Sequence, residues 1–391
     1  MVGKDIMPDT GSIAARRLAK VRGAMAEWGA DILVLNFGPD FLYLTGMEGP
    51  MYYTILKGHG DWVTTAIVSQ DHDPVIVLHP WFNVDVATWV GDVRVMGAGE
   101  PDPDGYLGNV LAEFDPAGKT IATSKMLWGQ SLLALQAGAP GTRFITADNT
   151  MMDKMRSVKD ADELAAMQAV ATITDTAMAE TIKRMRVGMT ERDVSLEVEY
   201  QIRLAGGDGP SFAAGIISVG NGSDPNRHIF TRNTDLTLES GMTVAFDFGA
   251  ILNGYCSDFG RSVFIGEPLQ EALAAYETIT SGNIAVMPQM RSGKITPTGV
   301  ANAMRDHVAE RGFVEHYMYE GLGHAIGLEV HEEPWLKPPY DDPIETDMCF
   351  TLEPKIWKPG VFYVRCEDVV VVGPDGARSL THAPYEPSVV A

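Results

Sequence analysis

The segment Thr243–Phe264, TVAFDFGAILNGYCSDFGRSVF, limits the fold more than any other stretch of the chain. Two strand-like runs flank Asn253-Gly254. Asn-Gly tolerates positive φ at both central positions of a type I′ turn, so the spacing predicts a two-residue β-hairpin. If Leu252 faces Tyr255, the register sets Asp258 opposite Gly249 and Asp247 opposite Gly260. The two carboxylates then share one face as diagonal neighbours, with Cα atoms roughly 7–8 Å apart. The glycines across from them are expected to leave room for ions and substrate, while Phe246, Phe248 and Phe259 give the opposite face to a core. Cys256 falls on the aspartate face, either as a small buried filler or as a further ligand. Two aspartates beside such a turn are also what a solvated sheet face carries, so the hairpin alone does not decide its chemistry.

Later segments supply further donors in order. Gly321–Pro334, GLGHAIGLEVHEEP, presents His324 and His331 in a glycine-rich stretch. Thr351-Leu352-Glu353-Pro354 and Val364-Arg365-Cys366-Glu367-Asp368 each place a glutamate in an otherwise apolar strand run. An ionised acid is very costly to bury without a partner, and a divalent ion is such a partner. If the four carboxylates and an imidazole converge on one centre, they make a hard, oxygen-rich donor set, suited to Mn²⁺, open to Zn²⁺ or Co²⁺, and unsuited to copper or iron–sulfur chemistry, although a lone buried histidine is more often structural than a ligand. Two ions roughly 3.5–4 Å apart can share a water, lower its pKa and polarise a carbonyl, which points to hydrolysis.

At 391 residues the chain exceeds the ~250–300 that one core sustains, so two domains are expected. Residues from about 12 to 150 alternate helical and extended patterns: Ser12–Trp28 has helical spacing, and Asp31–Asn36, Trp62–Ser69 and Pro74–His79 read as strands. A boundary near 155 follows, before a long amphipathic helix over Asp160–Arg186. Next come a helix over Thr190–Leu204 with Thr190 as its cap, strands near Ser211–Val219 and Met242–Gly249, and helices over Gln270–Met287 and Pro297–Arg311. Helices with mostly antiparallel strands suggest an α+β domain. Acidic residues outnumber basic ones by 52 to 30, and the formal charge of −22 disfavours nucleic acid and anionic membrane surfaces as partners. No signal-peptide pattern and no apolar run of about 18 residues is seen, and three cysteines are too few for a disulfide framework. A cytoplasmic location is expected.

The ordered set Asp247, Asp258, His324, Glu353 and Glu367, set in DFG, GYCSDFGRS, GHAIGLEVHEEP, LEP and VRCEDVVVV, resembles the creatinase, aminopeptidase P and prolidase superfamily. Val158-Lys159 with Glu163 looks like that family's entry into its catalytic domain, and Phe37–Met47, FGPDFLYLTGM, is similar to the start of its N-terminal domain. The resemblance implies an α/β creatinase-like N-terminal domain (1–155) followed by an α+β pita-bread catalytic domain (156–391) with a mostly antiparallel sheet. It also implies two divalent ions, with Asp258 and Glu367 bridging them, Asp247 on one and His324 with Glu353 on the other. Glu353 would be the general base toward the bridging water, and His331 and His228 would bracket the substrate. Arg365 would orient a ligand carboxylate. A homodimer is implied too, in which an N-terminal loop approaches the other chain's site. The aromatics of FGPDFLYLTGM and of the segment around Met51, Tyr52, Tyr53 and Trp62 look exposed enough for that contact, although an aromatic core would use the same residues.

One position departs from the pattern. Prolidases and aminopeptidases P commonly carry histidine four residues before the ligand histidine, and here Glu320 stands there, either favouring a cationic substrate group or simply solvated. The leading expectation is an Xaa-Pro aminopeptidase or dipeptidase acting on a small peptide, a bond whose tertiary amide and fixed φ defeat general peptidases. A second is a non-peptidase relative acting on a small nitrogen- or sulfur-containing metabolite, in the manner of creatinase or dimethylsulfoniopropionate lyase. Creatinase itself needs no metal and lacks this ligand set. A third is a catalytically dead binding module, against which the five intact ligands speak.

Overall fold

A computed structural model describes residues 10–47, 61–80, 87–147, 149–220 and 222–391. The chain divides into two compact units, residues 1–156 and 157–391. In the first, a six-stranded sheet runs in the order Asp92–Val95, Val75–Leu78, Thr65–Ser69, Ile32–Asn36, Thr120–Ser124, Arg143–Ala147. Thr65–Ser69 pairs antiparallel with both its neighbours, by tight reversals, and the other three pairings are parallel, as crossover connections require. Ile32–Asn36, Thr65–Ser69 and Val75–Leu78 are buried along their whole length, which is why these runs are apolar without alternation.

Phe37–Met47 corrects one expectation. Its helix, Pro39–Thr45, buries Phe41 and Tyr43 in the unit's own interior, and Phe41 stacks at a tilt on Phe37. Trp62 packs against the same unit's core. Phe37, Phe41 and Tyr43 therefore take the aromatic-core reading, while Trp62 is half-buried at its edge. Met51, Tyr52 and Tyr53 lie outside the described residues.

The second unit is built on mostly antiparallel sheets. Thr190 closes a capping box on Glu191–Leu204, the cap the sequence indicates, and Asp160, expected as the first residue of the preceding helix, closes one on Ala161–Arg184. The expected strand near Ser211–Val219 starts later, at Gly215, and runs to Gly220. Met242–Asp247 lies between Gly215–Gly220 and Ser262–Ile265, and a five-stranded sheet joins Glu332–Trp335, His324–Ala325, Cys349–Leu352, Asp368–Val371 and Arg378–Ser379. Lys355–Lys358 and Phe362–Arg365 form a separate hairpin.

The central hairpin has the expected register. Leu252 pairs with Tyr255, Phe248 with Phe259 and Ala245 with Ser262, while Asn253 and Gly254 take φ of 51° and 83°. Phe246, Phe248 and Phe259 are fully buried and meet edge to face. The two glycines do not leave open space. A Cβ on Gly249 would sit 1.8 Å from the Ser257 carbonyl oxygen, and one on Gly260 would sit 2.9 Å from Arg365 Nε. Backbone and a guanidinium fill what the sequence suggested was room for ions.

Candidate metal centre

Five donors arrive from four places in the second unit. Asp247 ends the strand Met242–Asp247, and Asp258 follows the hairpin turn. His324 starts a short strand, Glu353 follows Cys349–Leu352, and Glu367 enters through a bridge in which its N–H donates to the Gly260 carbonyl at 2.7 Å. All five are buried. Asp247, Asp258 and Glu367 bring ligand atoms within 4.8 Å of one another, and so do His324, Glu353 and Glu367. Glu367 belongs to both groups and links them.

The histidine's protonation follows from its partner. A carbonyl oxygen can only accept, so His324 Nδ1, 3.1 Å from the Ala325 carbonyl, carries the proton. The Nε2 lone pair is thereby turned toward Asp258 Oδ2 and Glu353 Oε1, each 3.6 Å away.

Electrostatics show what the cluster lacks. Burial, and then the neighbouring Asp247 carboxylate, push Asp258 well above the usual carboxylate range. Burial raises Glu367 likewise, against the pull of Arg365. Asp258 Oδ1 and Glu367 Oε1 are buried without a hydrogen-bond partner. Buried acceptors are normally satisfied, so two orphaned carboxylate oxygens in one cluster mark a seat for a cation. The donor chemistry and the orphaned atoms both fit divalent ions.

Three cations border the cluster on other oxygens. Arg365 reaches Asp247 Oδ2 at 2.7 Å and Glu353 Oε2 at 2.8 Å through separate nitrogens, and also holds Glu367 Oε2. It ties three carboxylates together, where one ligand carboxylate was expected. Arg232 donates to Asp247 Oδ2 at 2.7 Å, and Lys355 lies 2.5 Å from Glu353 Oε2. Burial alone would raise Glu353, but Lys355 and Arg365 outweigh it and hold it down at about 2. Sequence reasoning missed Arg232 and Lys355. Lys355 had a signal, since it stands two residues beyond Glu353 and so can project to the same side. Arg232 had none, because its contact depends on a loop folding back across fifteen residues.

The remaining site residues differ in placement. His331 joins Asp258 and His324 in a third donor group, with ring centroids 4.4 Å from His324. Trp335, also missed, stacks on it at 5.5 Å and makes an aromatic wall. The loop bearing His331 is fixed by the buried pair Lys159–Glu332, at 3.1 Å. His228 joins none of the donor groups among the described residues; it is exposed, and its ring lies against Phe230. Cys256 is buried and also outside these groups, and Glu320 is exposed in a short 3₁₀ turn.

Comparison with known proteins adds ancestry to this geometry. A family model described as metallopeptidase family M24 matches residues 165–374. The chain is 32% identical over 380 residues to the uncharacterized peptidase YqhT of Bacillus subtilis (strain 168), covering 95% of this chain and 99% of that one. It is 31% identical to an Xaa-Pro dipeptidase of Lactobacillus delbrueckii subsp. lactis, covering 95% and 98%. Its fold superposes on the crystal structure of an X-Pro aminopeptidase from Thermotoga maritima with a TM-score of 0.80 at 25% identity, over 94% of this chain and 100% of the other.

Proposed function

The chain belongs to metallopeptidase family M24 and is a metal-dependent peptidase, and on that premise we propose that it cleaves the Xaa-Pro bond of small peptides. The observation that carries this reading is the linked pair of donor groups sharing Glu367, with the orphaned oxygens of Asp258 and Glu367 between them. Asp247, Asp258, His324, Glu353 and Glu367 would hold two divalent ions, Mn²⁺ by the hardness of the oxygen donors, with Zn²⁺ or Co²⁺ able to replace it. Ions held there would supply Lewis acidity and a water of lowered pKa.

The chain's own residues do the rest. Glu353 would accept the water's proton at Oε1, the oxygen facing His324, because Oε2 is taken by Lys355 and Arg365. Arg365 would keep three carboxylates in one arrangement while substrate charge changes. His331, stacked on Trp335 at the edge of the cluster, would donate to the developing oxyanion or to the leaving nitrogen. His228 would meet the substrate from its exposed loop. The same resemblance carries the proposal of a cytoplasmic homodimer, for which light scattering is the check.

Profiling the purified protein against Xaa-Pro dipeptides, longer Xaa-Pro peptides and small betaines tests the reading. Hydrolysis of the prolyl peptides alone is expected. Turnover confined to a small nitrogen- or sulfur-containing metabolite would replace it with the non-peptidase alternative.

A further inference from the structure

Arg232 reaches the metal centre by a route that the fold keeps clear. Gly215 lies directly opposite Asp247 in the strand pairing, and a Cβ on Gly215 would sit 2.4 Å from Arg232 Nη1 and 2.9 Å from its Cδ. A residue with no side chain there lets the guanidinium cross the strand and donate to Asp247 Oδ2 at 2.7 Å. The next residue fastens the loop to that strand. Asn233 takes a φ of 55°, donates its N–H to the Ile216 carbonyl at 3.1 Å, and accepts the Ile216 N–H on its Oδ1 at 2.8 Å. Gly215–Gly220 is an edge strand, so this pairing satisfies backbone groups that no further strand would meet.

One buried side chain holds both ends of the loop. Glu191, fully buried in the first turn of Glu191–Leu204, accepts on Oε1 from the N–H and Oγ of Ser218 and on Oε2 from the N–H and Oγ1 of Thr234. Arg227 Nη2 lies 2.7 Å from both oxygens. Arg227 and Thr234 flank the stretch 228–233 that carries Arg232. A buried carboxylate needs partners around it, and those partners fix this loop against the strand beside Asp247. The two guanidiniums on Asp247 Oδ2 are held differently. Arg365 is spread over three carboxylates, whereas Asp247 is the only hydrogen-bond acceptor of Arg232 among the described residues. Held on Oδ2 from two sides, the carboxylate is fixed in rotation, and its Oδ1 accepts no hydrogen bond among the described residues.

We propose that Arg232 is a positioning residue that aims the metal ligand Asp247, and that Glu191 is its remote anchor, acting through Arg227 and Thr234. This rests on the metal-centre reading above. Calorimetric titration of Mn²⁺ into stripped wild type, Arg232→Met, Glu191→Gln and the double variant tests it without reference to turnover. Glutamine puts an NH₂ group against the donors of either Ser218 or Thr234 and so opens one half of the clamp. Losing a group that orients a ligand typically costs about 10- to 100-fold in metal affinity, and each single variant should bind Mn²⁺ more weakly by that factor. Both act through one contact, so the double variant should lose no more than Arg232→Met alone. Gly215→Ala, which displaces the guanidinium and keeps its charge, should show the same loss. If Glu191→Gln does not fold, Arg227→Met is held to the same criterion. Mn²⁺ binding that is unchanged or tighter in Arg232→Met would overturn the proposal, the tighter result making the guanidinium a competitor of the ion. Wild-type binding in Glu191→Gln, or losses that add in the double variant, would overturn the anchor. A folded wild type that binds no Mn²⁺ would instead overturn the metal-centre reading.

Discussion

Replacing Arg365 with methionine should destabilise the metal-free protein far more than the metal-loaded one. The guanidinium is buried and touches Asp247, Glu353 and Glu367, so its loss leaves three buried carboxylates with fewer counter-charges. Breaking a buried ion pair by removing one partner typically costs about 3–5 kcal/mol. For a unit of this size each kcal/mol moves Tm by about 2–4 °C, so a fall of about 6–20 °C is expected without metal. Divalent ions would supply part of the missing positive charge to the same carboxylates. The deficit should therefore shrink by half or more when Mn²⁺ is added. Thermal unfolding of both proteins in EDTA and in Mn²⁺ measures this. An unchanged Tm in EDTA, or a deficit of the same size in both conditions, would refute the idea that Arg365 and the ions neutralise one shared set of carboxylates.

Glu353→Gln should lower kcat by about 10²–10⁴-fold, the range for loss of a positioned proton acceptor, while circular dichroism stays native; a near-wild-type rate removes that role. Glu191 offers a pH test away from the centre. Its buried carboxylate accepts hydrogen bonds from Arg227, Ser218 and Thr234, holding together the loop that carries His228 and Arg232. Burial would raise its pKa, but Arg227 and then Thr234 and Ser218 bring it below the ordinary 4.5. A group lowered by folding contributes stability above its unfolded pKa and loses it as pH falls through the folded value. The Tm gap between wild type and Glu191→Gln should therefore be full near pH 7 and narrow below about pH 4; a constant gap contradicts the assignment.

The sequence carried the hairpin because Asn-Gly sets turn type, turn type sets register, and register sets which side chains share a face. That reasoning brought Asp247 and Asp258 together and sent Phe246, Phe248 and Phe259 to the core. It failed at Gly249 and Gly260, since parity tells which face is empty of side chains and not what backbone or arginine comes to fill it. The helix cap at Thr190 was legible because capping is local. Arg232 was not, because it reaches Asp247 only when a loop folds back across fifteen residues, and Trp335 was passed over although it stands four residues from His331. For the aromatics of Phe37–Met47 the sequence left surface and core both open, and the burial of Phe41 and Tyr43 decides for the core.

The central claim is that the five donors form a metal centre, and metal stoichiometry tests it most directly. Stripped protein is dialysed to equilibrium against Mn²⁺ and analysed for metal, alongside a variant carrying Asp258→Asn and Glu367→Gln. These replace the two carboxylates whose oxygens lack partners. The wild type should hold up to two ions per chain and lose activity in EDTA, and the double variant should hold fewer than one. A folded wild type that binds no ion and keeps its activity in chelator would contradict the account.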